Sequence, residues 1–286
     1  MAAVAFGQAP AGGRGGAPAA APQKIMQIKP NLYVVTGAGG NSTVRVTNAG
    51  IILVDTKNLG EQFYNDLVAQ IKTVSNEPVK EVIITHVHQD HSGNTGRFIA
   101  AGARVTANEG EKKEVATYTS AAGKPDEPNN TYATKTVIKL DGAKAEVYHF
   151  GPMHTGGDSV VYFPDLKVLC GGDEIVGVQP NFDYPNGGSL LGATKVLAQV
   201  AKLKFDTVVP GHSAPNATTM TRADFDAYKK KVDTLAQRFA ELIKAGTPKS
   251  EILAKVKTDD LGWNVNTAQW QAPGRLDPLY AEFGGK

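Results

Sequence analysis

Short apolar-rich stretches open the folded part of the chain. Ile25–Ile28, Leu32–Thr36, Thr43–Thr47 and Ile51–Asp55 each read as a strand. The period then changes. Phe63, Leu67, Ile71 and Val74 recur at helical spacing, and the β-branched run Val82–Thr85 returns to strand. A helix is expected to start near Thr95, and a polar stretch of helical character, Glu109–Thr119, leads into a long loop, Ala121–Thr131. Strands follow at Thr136–Leu140, Glu146–Phe150, Ser159–Phe163 and Val168–Cys170. A loop at Gln179–Gly188, a helix at Ser189–Ala201 and a strand beginning at Thr207 complete the pattern. Mixed strands and helices of this order predict an α/β fold.

Beyond Thr221 the pattern is helical. Thr221 and Asp224 have the spacing of a capping box. Phe225, Tyr228, Val232, Leu235, Phe239 and Leu242 then form one apolar face, which Gly246 ends. Thr247-Pro248 starts a short helix carrying Ile252, Leu253 and Val256. These stripes predict packing onto the preceding domain, with a dimer interface as the alternative and a monomer favoured. The chain therefore divides into a leader over 1–24, a catalytic domain over 25–220 and C-terminal helices over 221–286 packed on that same domain.

The leader is rich in Ala, Gly and Pro, with Arg14 its one charge before Lys24. It buries too little to fold and is expected to be flexible. Its first residues read as the end of a signal-cleavage region, which predicts a periplasmic or secreted protein; a cytoplasmic enzyme with a disordered leader is the alternative. No apolar stretch is long enough to span a membrane. The formal net charge of +2 and the lack of a basic stripe, Lys229–Lys231 aside, argue against a nucleic-acid partner and for a small-molecule substrate. A single cysteine, Cys170, allows no internal disulfide and reads as a small core residue.

Chemistry concentrates at strand ends. Three of the six histidines fall in His86-Val87-His88-Gln89-Asp90-His91, directly after the strand Val82–Thr85. In extended chain His86 and His88 project to one side and can share a metal, while a turn carries Asp90 and His91 toward a second. His154 lies in a glycine-rich turn before Ser159–Phe163, Asp173 follows Val168–Cys170, and His212 follows Thr207–Val209. His149 alone lies outside these motifs. Ser92 and Ser213, each beside a ligand-type residue, read as hydrogen-bonding neighbours and not as nucleophiles.

The order HxHxDH, then H, D and PGH, resembles the metallo-β-lactamase superfamily from about Ile25 to Ala214. Gly50–Thr56 resembles the family's strand ending in Asp-Thr, whose aspartate, Asp55 here, supports the site from behind the ligands. The resemblance implies a four-layer αββα sandwich. It implies two zinc ions: one on His86, His88 and His154, the other on Asp90, His91 and His212, with Asp173 bridging. Iron or manganese is not excluded. It also implies hydrolysis, with a water shared by the metals and ionised near neutral pH attacking a carbonyl carbon, and Asp90 as the catalytic carboxylate.

Substrate is less specified. Gly37–Asn41, Lys57-Asn58 and Phe182–Asn186 are expected to border the metals; Asn41 and Asn186 are candidate oxyanion donors, and Phe182 and Tyr184 a candidate apolar wall. A β-lactam is the leading expectation, with a lactone or a glyoxalase II-like thioester next. The sequence departs from the family's first lactamase subclass, which has cysteine where Asp173 stands and arginine where His91 stands. The third subclass matches HxHxDH but lacks an aspartate at the position of Asp173. An iron-dependent sulfur dioxygenase-type oxidoreductase is the alternative of another class.

Overall fold

Ile52 and Val54 face one side of their strand, Ile51 and Leu53 the other, and all four are buried. A strand apolar on both faces belongs in the middle of a layered structure. The computed structural model, which describes residues 20–285, places it there. The leader proposed above falls largely outside the described residues. Its end does not: Ala21 accepts a hydrogen bond from the Ala38 amide, Gln23 is buried, and the first strand already begins at Lys24.

One sheet has seven strands in chain order: β1 (Lys24–Lys29), β2 (Leu32–Thr36), β3 (Ser42–Thr47), β4 (Gly50–Val54), β5 (Val79–Ile83), β6 (Arg104–Asn108) and β7 (Asn130–Tyr132). It is antiparallel through β4 and parallel from β4 to β7. The second sheet contains β8 (Lys135–Leu140), β9 (Ala143–Tyr148), β10 (Val160–Phe163), β11 (Val168–Cys170), β12 (Thr207–Val209) and β13 (Met220–Thr221), in the order β13-β12-β11-β10-β9-β8. Only β11 and β12 are parallel in it.

The helices are α1 (Glu61–Lys72), α2 (Gln89–Ser92), α3 (Thr95–Ala100), α4 (Glu109–Thr117), α5 (Leu190–Val200), α6 (Arg222–Lys244), α7 (Lys249–Lys255), α8 (Ala268–Gln271) and α9 (Pro273–Glu282). Alternation along the strands sorts the core into layers. Ile52, Val54 and Ile83 of the first sheet meet Val147, Val161, Phe163 and Val209 of the second. On the outer face of the first sheet, Ile51, Leu53 and Val82 pack with Leu67 and Ile71 of α1 and Phe98 of α3. On the outer face of the second, Val160, Tyr162, Leu169 and Val208 pack with α5 and α6. The result is the four-layer αββα sandwich. Residues of α7, α8 and α9 join that last cluster, including Ile252, Trp270 and Leu279.

Some details differ from the sequence pattern, among them the strand read as Glu146–Phe150, which runs Ala143–Tyr148. The strand read as Val82–Thr85 ends at Ile83, because the Thr85 amide donates to Asp55 Oδ1 and leaves the ladder. A short strand, β7, closes the loop read as Ala121–Thr131. The face of α6 buries Ile243, whereas Leu242 is only partly buried.

Candidate metal centre

The carboxyl ends of β4, β5, β9, β11 and β12 supply the site. Asp55 follows β4, the run His86–His91 follows β5, His154 follows β9, Asp173 follows β11 and His212 follows β12. The turn holding His154 is shaped by Asp158, whose carboxylate accepts from the amides of Met153, His154 and Thr155 and from the Thr155 hydroxyl. Asp158 thus bonds back to the three residues around His154 and holds that turn.

Ligand-type atoms gather in two groups, His86, His88, His154 and Asp173 in one and Asp90, His91 and His212 in the other, each with its atoms within 4.8 Å of one another. Asp173 touches both. Its Oδ2 lies 3.6 Å from His154 Nε2 and 3.5 Å from His212 Nε2, and its Oδ1 lies 3.2 Å from His91 Nε2. Asp90 Oδ2 is 3.2 Å from His212 Nε2. Glycines permit this crowding: a side chain at Gly40 would collide with the His91 ring, and one at Gly211 with Asp173 Oδ1.

Hydrogen bonds at the outer nitrogens decide which way each ring's lone pair points. His88 Nε2 donates to Asp183 Oδ2 at 2.8 Å, and His154 Nδ1 donates to the Asn181 carbonyl at 2.6 Å. His91 Nδ1 donates to Asp55 Oδ2 at 2.8 Å. Thr85 gives its own hydroxyl proton to Asp55 and lies 3.1 Å from His86 Nδ1, so that nitrogen is the donor. With the outer nitrogen of each ring engaged as a donor, the neutral form of each ring turns a bare lone pair inward. His88 Nδ1 and His154 Nε2 stand 2.9 Å apart as two acceptors, and His86 Nε2 is buried without a partner among the described residues. Facing lone pairs repel; a shared cation turns the repulsion into ligation, and the N/O donor set fits a divalent transition metal such as zinc.

Electrostatics agree. Burial, reinforced by the neighbouring imidazoles, pushes His86 well below the ordinary histidine range, and burial takes His154 down to about 4. Both rings are neutral at physiological pH. Burial alone would raise Asp90, but His91 and His212 hold it well below the carboxylate range. Around His91 burial is outweighed by Asp173, Asp90 and Asp55, which together favour a proton that a cation would displace.

Lys57 is fully buried beside the site, and donates to the carbonyls of Val35 at 2.5 Å and Gly40 at 2.7 Å. Burial brings its ammonium down to about 7, with Asp55 and Asp90 opposing. It ties the Gly37–Asn41 loop to the end of β4.

Other candidates are placed differently from the sequence reading. Asn41 spends its amide hydrogens on the Pro210 carbonyl and Ser213 Oγ, at 2.8 and 2.7 Å, which braces the loop before His212 and leaves none for an oxyanion. Asn186 donates to Asp183 Oδ2 at 2.7 Å. Tyr184 turns its hydroxyl to Glu282, and Phe182 is fully buried against Trp270, so neither walls the metals. His149 belongs to neither cluster and bonds the Asp158 carbonyl. Cys170 is buried beside Thr43, and burial pushes its thiol up to about 12. Asp183 was overlooked because a lone aspartate in a loop carries no spacing signal; only the fold brings it to His88.

The family model described as the metallo-beta-lactamase superfamily matches residues 35–212, more than half of the chain. The chain belongs to the metallo-beta-lactamase superfamily. Within it, the chain is 26% identical over 77% of its length to the 2,4-dinitroanisole O-demethylase subunit alpha of Nocardioides sp., and covers 65% of that protein. It is 28% identical over 52% of its length to a metallo-beta-lactamase type 2 of Bacillus sp., covering 58% of it. The chain thus spans less than two thirds of the length of these curated relatives. Superfamily structures share the fold: a metallo-beta-lactamase from Pontibacter korlensis superposes with a TM-score of 0.64 at 22% identity over 74% of this chain and 99% of its own. The sec-alkylsulfatase Pisa1 from Pseudomonas sp. gives 0.65 at 18% identity, over 82% of this chain and 45% of its own.

Proposed function

We propose that this superfamily member is a dinuclear zinc hydrolase, with His86, His88 and His154 holding one ion, Asp90, His91 and His212 the other, and Asp173 between them. The observation that carries the reading is the inward convergence of the imidazoles of His86, His88, His91 and His154, whose outer nitrogens are engaged. The ions, once bound, supply Lewis acidity and a water that ionises near neutral pH. Asp90, ionised and with 22% of its side chain exposed, would orient that water and take its proton. Asp55 keeps His91 in the ligating tautomer, and Lys57 holds the adjoining loop by Gly40. No nucleophilic side chain is required.

A β-lactam-type cyclic amide is the first substrate to test, supported by the type 2 lactamase relatives. Lactones and thioesters follow. An activated aryl methyl ether is a second reading, favoured because the relative named for O-demethylation matches over 77% of the chain against 52% for that lactamase. Elemental analysis run beside a substrate panel tests the proposal: a chromogenic cephalosporin, an aryl lactone, a glutathione thioester and a nitroaryl methyl ether. The expected result is about two zinc per chain and turnover of one class that a chelator abolishes. Iron as the sole bound metal moves the protein to the oxidoreductase alternative, and chelator-resistant turnover by metal-free protein ends the reading.

A further inference from the structure

The loop that backs the three-histidine cluster is gripped from outside by the last helix of the chain. Residues 181–183 engage two of the three outer nitrogens of that cluster, through the Asn181 carbonyl on His154 and the Asp183 carboxylate on His88. The Asp183 amide also donates to the His154 carbonyl at 2.8 Å. Arg275 of α9 donates to Asn181 Oδ1 and, at 2.8 Å, to the Phe182 carbonyl. Its guanidinium is buried, with 8% of the residue exposed, so these acceptors replace water and are costly to lose. Two helical turns on, Glu282 grips the other end of the loop. It accepts from the Tyr184 hydroxyl, from Ser189 Oγ at 2.6 Å and from the Leu190 amide at 3.1 Å. That places a carboxylate at the amino end of α5, where the helix dipole favours one.

Positions 275 and 282 fall on one face of a helix, and both lie beyond residues 35–212 matched by the family model. We infer that α9 is a positioning element of the metal centre: Arg275 and Glu282 clamp residues 181–190, and through Asn181 and Asp183 they fix the tautomer and aim of His154 and His88. The inference rests on the reading of those histidines as cation ligands. It concerns one cluster only, since Asp55 and Thr85 hold His91 and His86 independently of α9.

The test is a zinc titration of full-length protein against a chromophoric chelator. For Arg275→Met, one zinc equivalent is expected to weaken by about 10- to 100-fold, the usual cost of losing an outer partner of a ligating histidine, with the other unchanged. Asp183→Asn is expected to weaken the same equivalent, and the double variant to fall short of the product of the singles, because both act through one loop. Arg275→Lys is expected to recover part of the loss. Equal weakening of both equivalents, unchanged affinities, or singles that multiply would each overturn the inference. Should Arg275→Met fail to fold, Glu282→Gln is read by the same titration against the same outcomes. Wild-type protein that binds no zinc overturns the metal reading and this inference together; wild type that loads both equivalents beside unaffected variants overturns this one alone.

Discussion

The His91 ring and the Asp55 carboxylate meet at 2.8 Å with neither side chain more than 2% exposed. Asp55 sits at a φ of 61°, a left-handed conformation that non-glycine residues seldom adopt, and its carboxylate also receives the Thr85 amide and hydroxyl. One side chain thus ends the β5 ladder and selects the tautomer of a ligand-type histidine.

Asp55→Ala is accordingly expected to lower affinity for the ion at Asp90, His91 and His212 by about 10- to 100-fold. It also leaves the buried Thr85 amide without its acceptor, which costs about 1–3 kcal/mol. Competition with a chelator and thermal melting of the metal-free protein read the two effects separately. Unaltered metal affinity in a folded variant would show that His91 needs no partner.

Asp90→Asn keeps the shape and removes the charge. Turnover is expected to drop by a factor of about 10² to 10⁴, the range for losing a positioned general base, while circular dichroism stays that of the wild type. Retained activity would move the proton acceptor elsewhere.

His149→Ala separates the sixth histidine from the other five. Its ring bonds the Asp158 carbonyl and joins neither ligand cluster, so metal content measured after dialysis is expected to equal that of the wild type. A variant that loads less metal contradicts the grouping of ligands.

Glu111, on α4, is 1% exposed and its Oε2 lacks a hydrogen-bond partner among the described residues. Burial, with Glu114 and other carboxylates adding, pushes its pKa up to about 8 from 4.5. Between those values the folded protein holds a proton that the unfolded chain has released. Stability from this group is therefore complete below pH 4.5 and declines as pH rises toward 8, by up to about 1.4 kcal/mol per pH unit. Glu111→Gln removes that slope, so the stability of the variant relative to wild type is expected to rise between pH 5 and pH 8 in urea denaturation. A difference that stays constant with pH would mean that Glu111 is ionised in the fold.

Much of this was legible in the chain itself. The hydrophobic pattern carried the strands and helices because each layer buries one face of its elements, and the strand read at Ile51–Asp55 is buried on both sides. His86, His88, His91, His154 and His212 stood out because strand ends converge in an open α/β sheet. The partners of those histidines did not. Asp183 and Asn181 act from a loop whose place depends on α9, at a separation of more than ninety residues from Arg275, and no local spacing encodes that contact. Asn41, Phe182 and Tyr184 turn to other partners for the same reason: proximity in sequence to a site does not say which way a side chain turns.

His212 has 36% of its side chain exposed and Asp90 22%, whereas His154 has 2% and His91 none. Bulk water consequently meets the centre chiefly at Asp90 and His212, beside the loop after β12, while His88 and Asp173 are each 12% exposed. Under the proposed reading, a chelator would reach an ion at the Asp90–His212 end first.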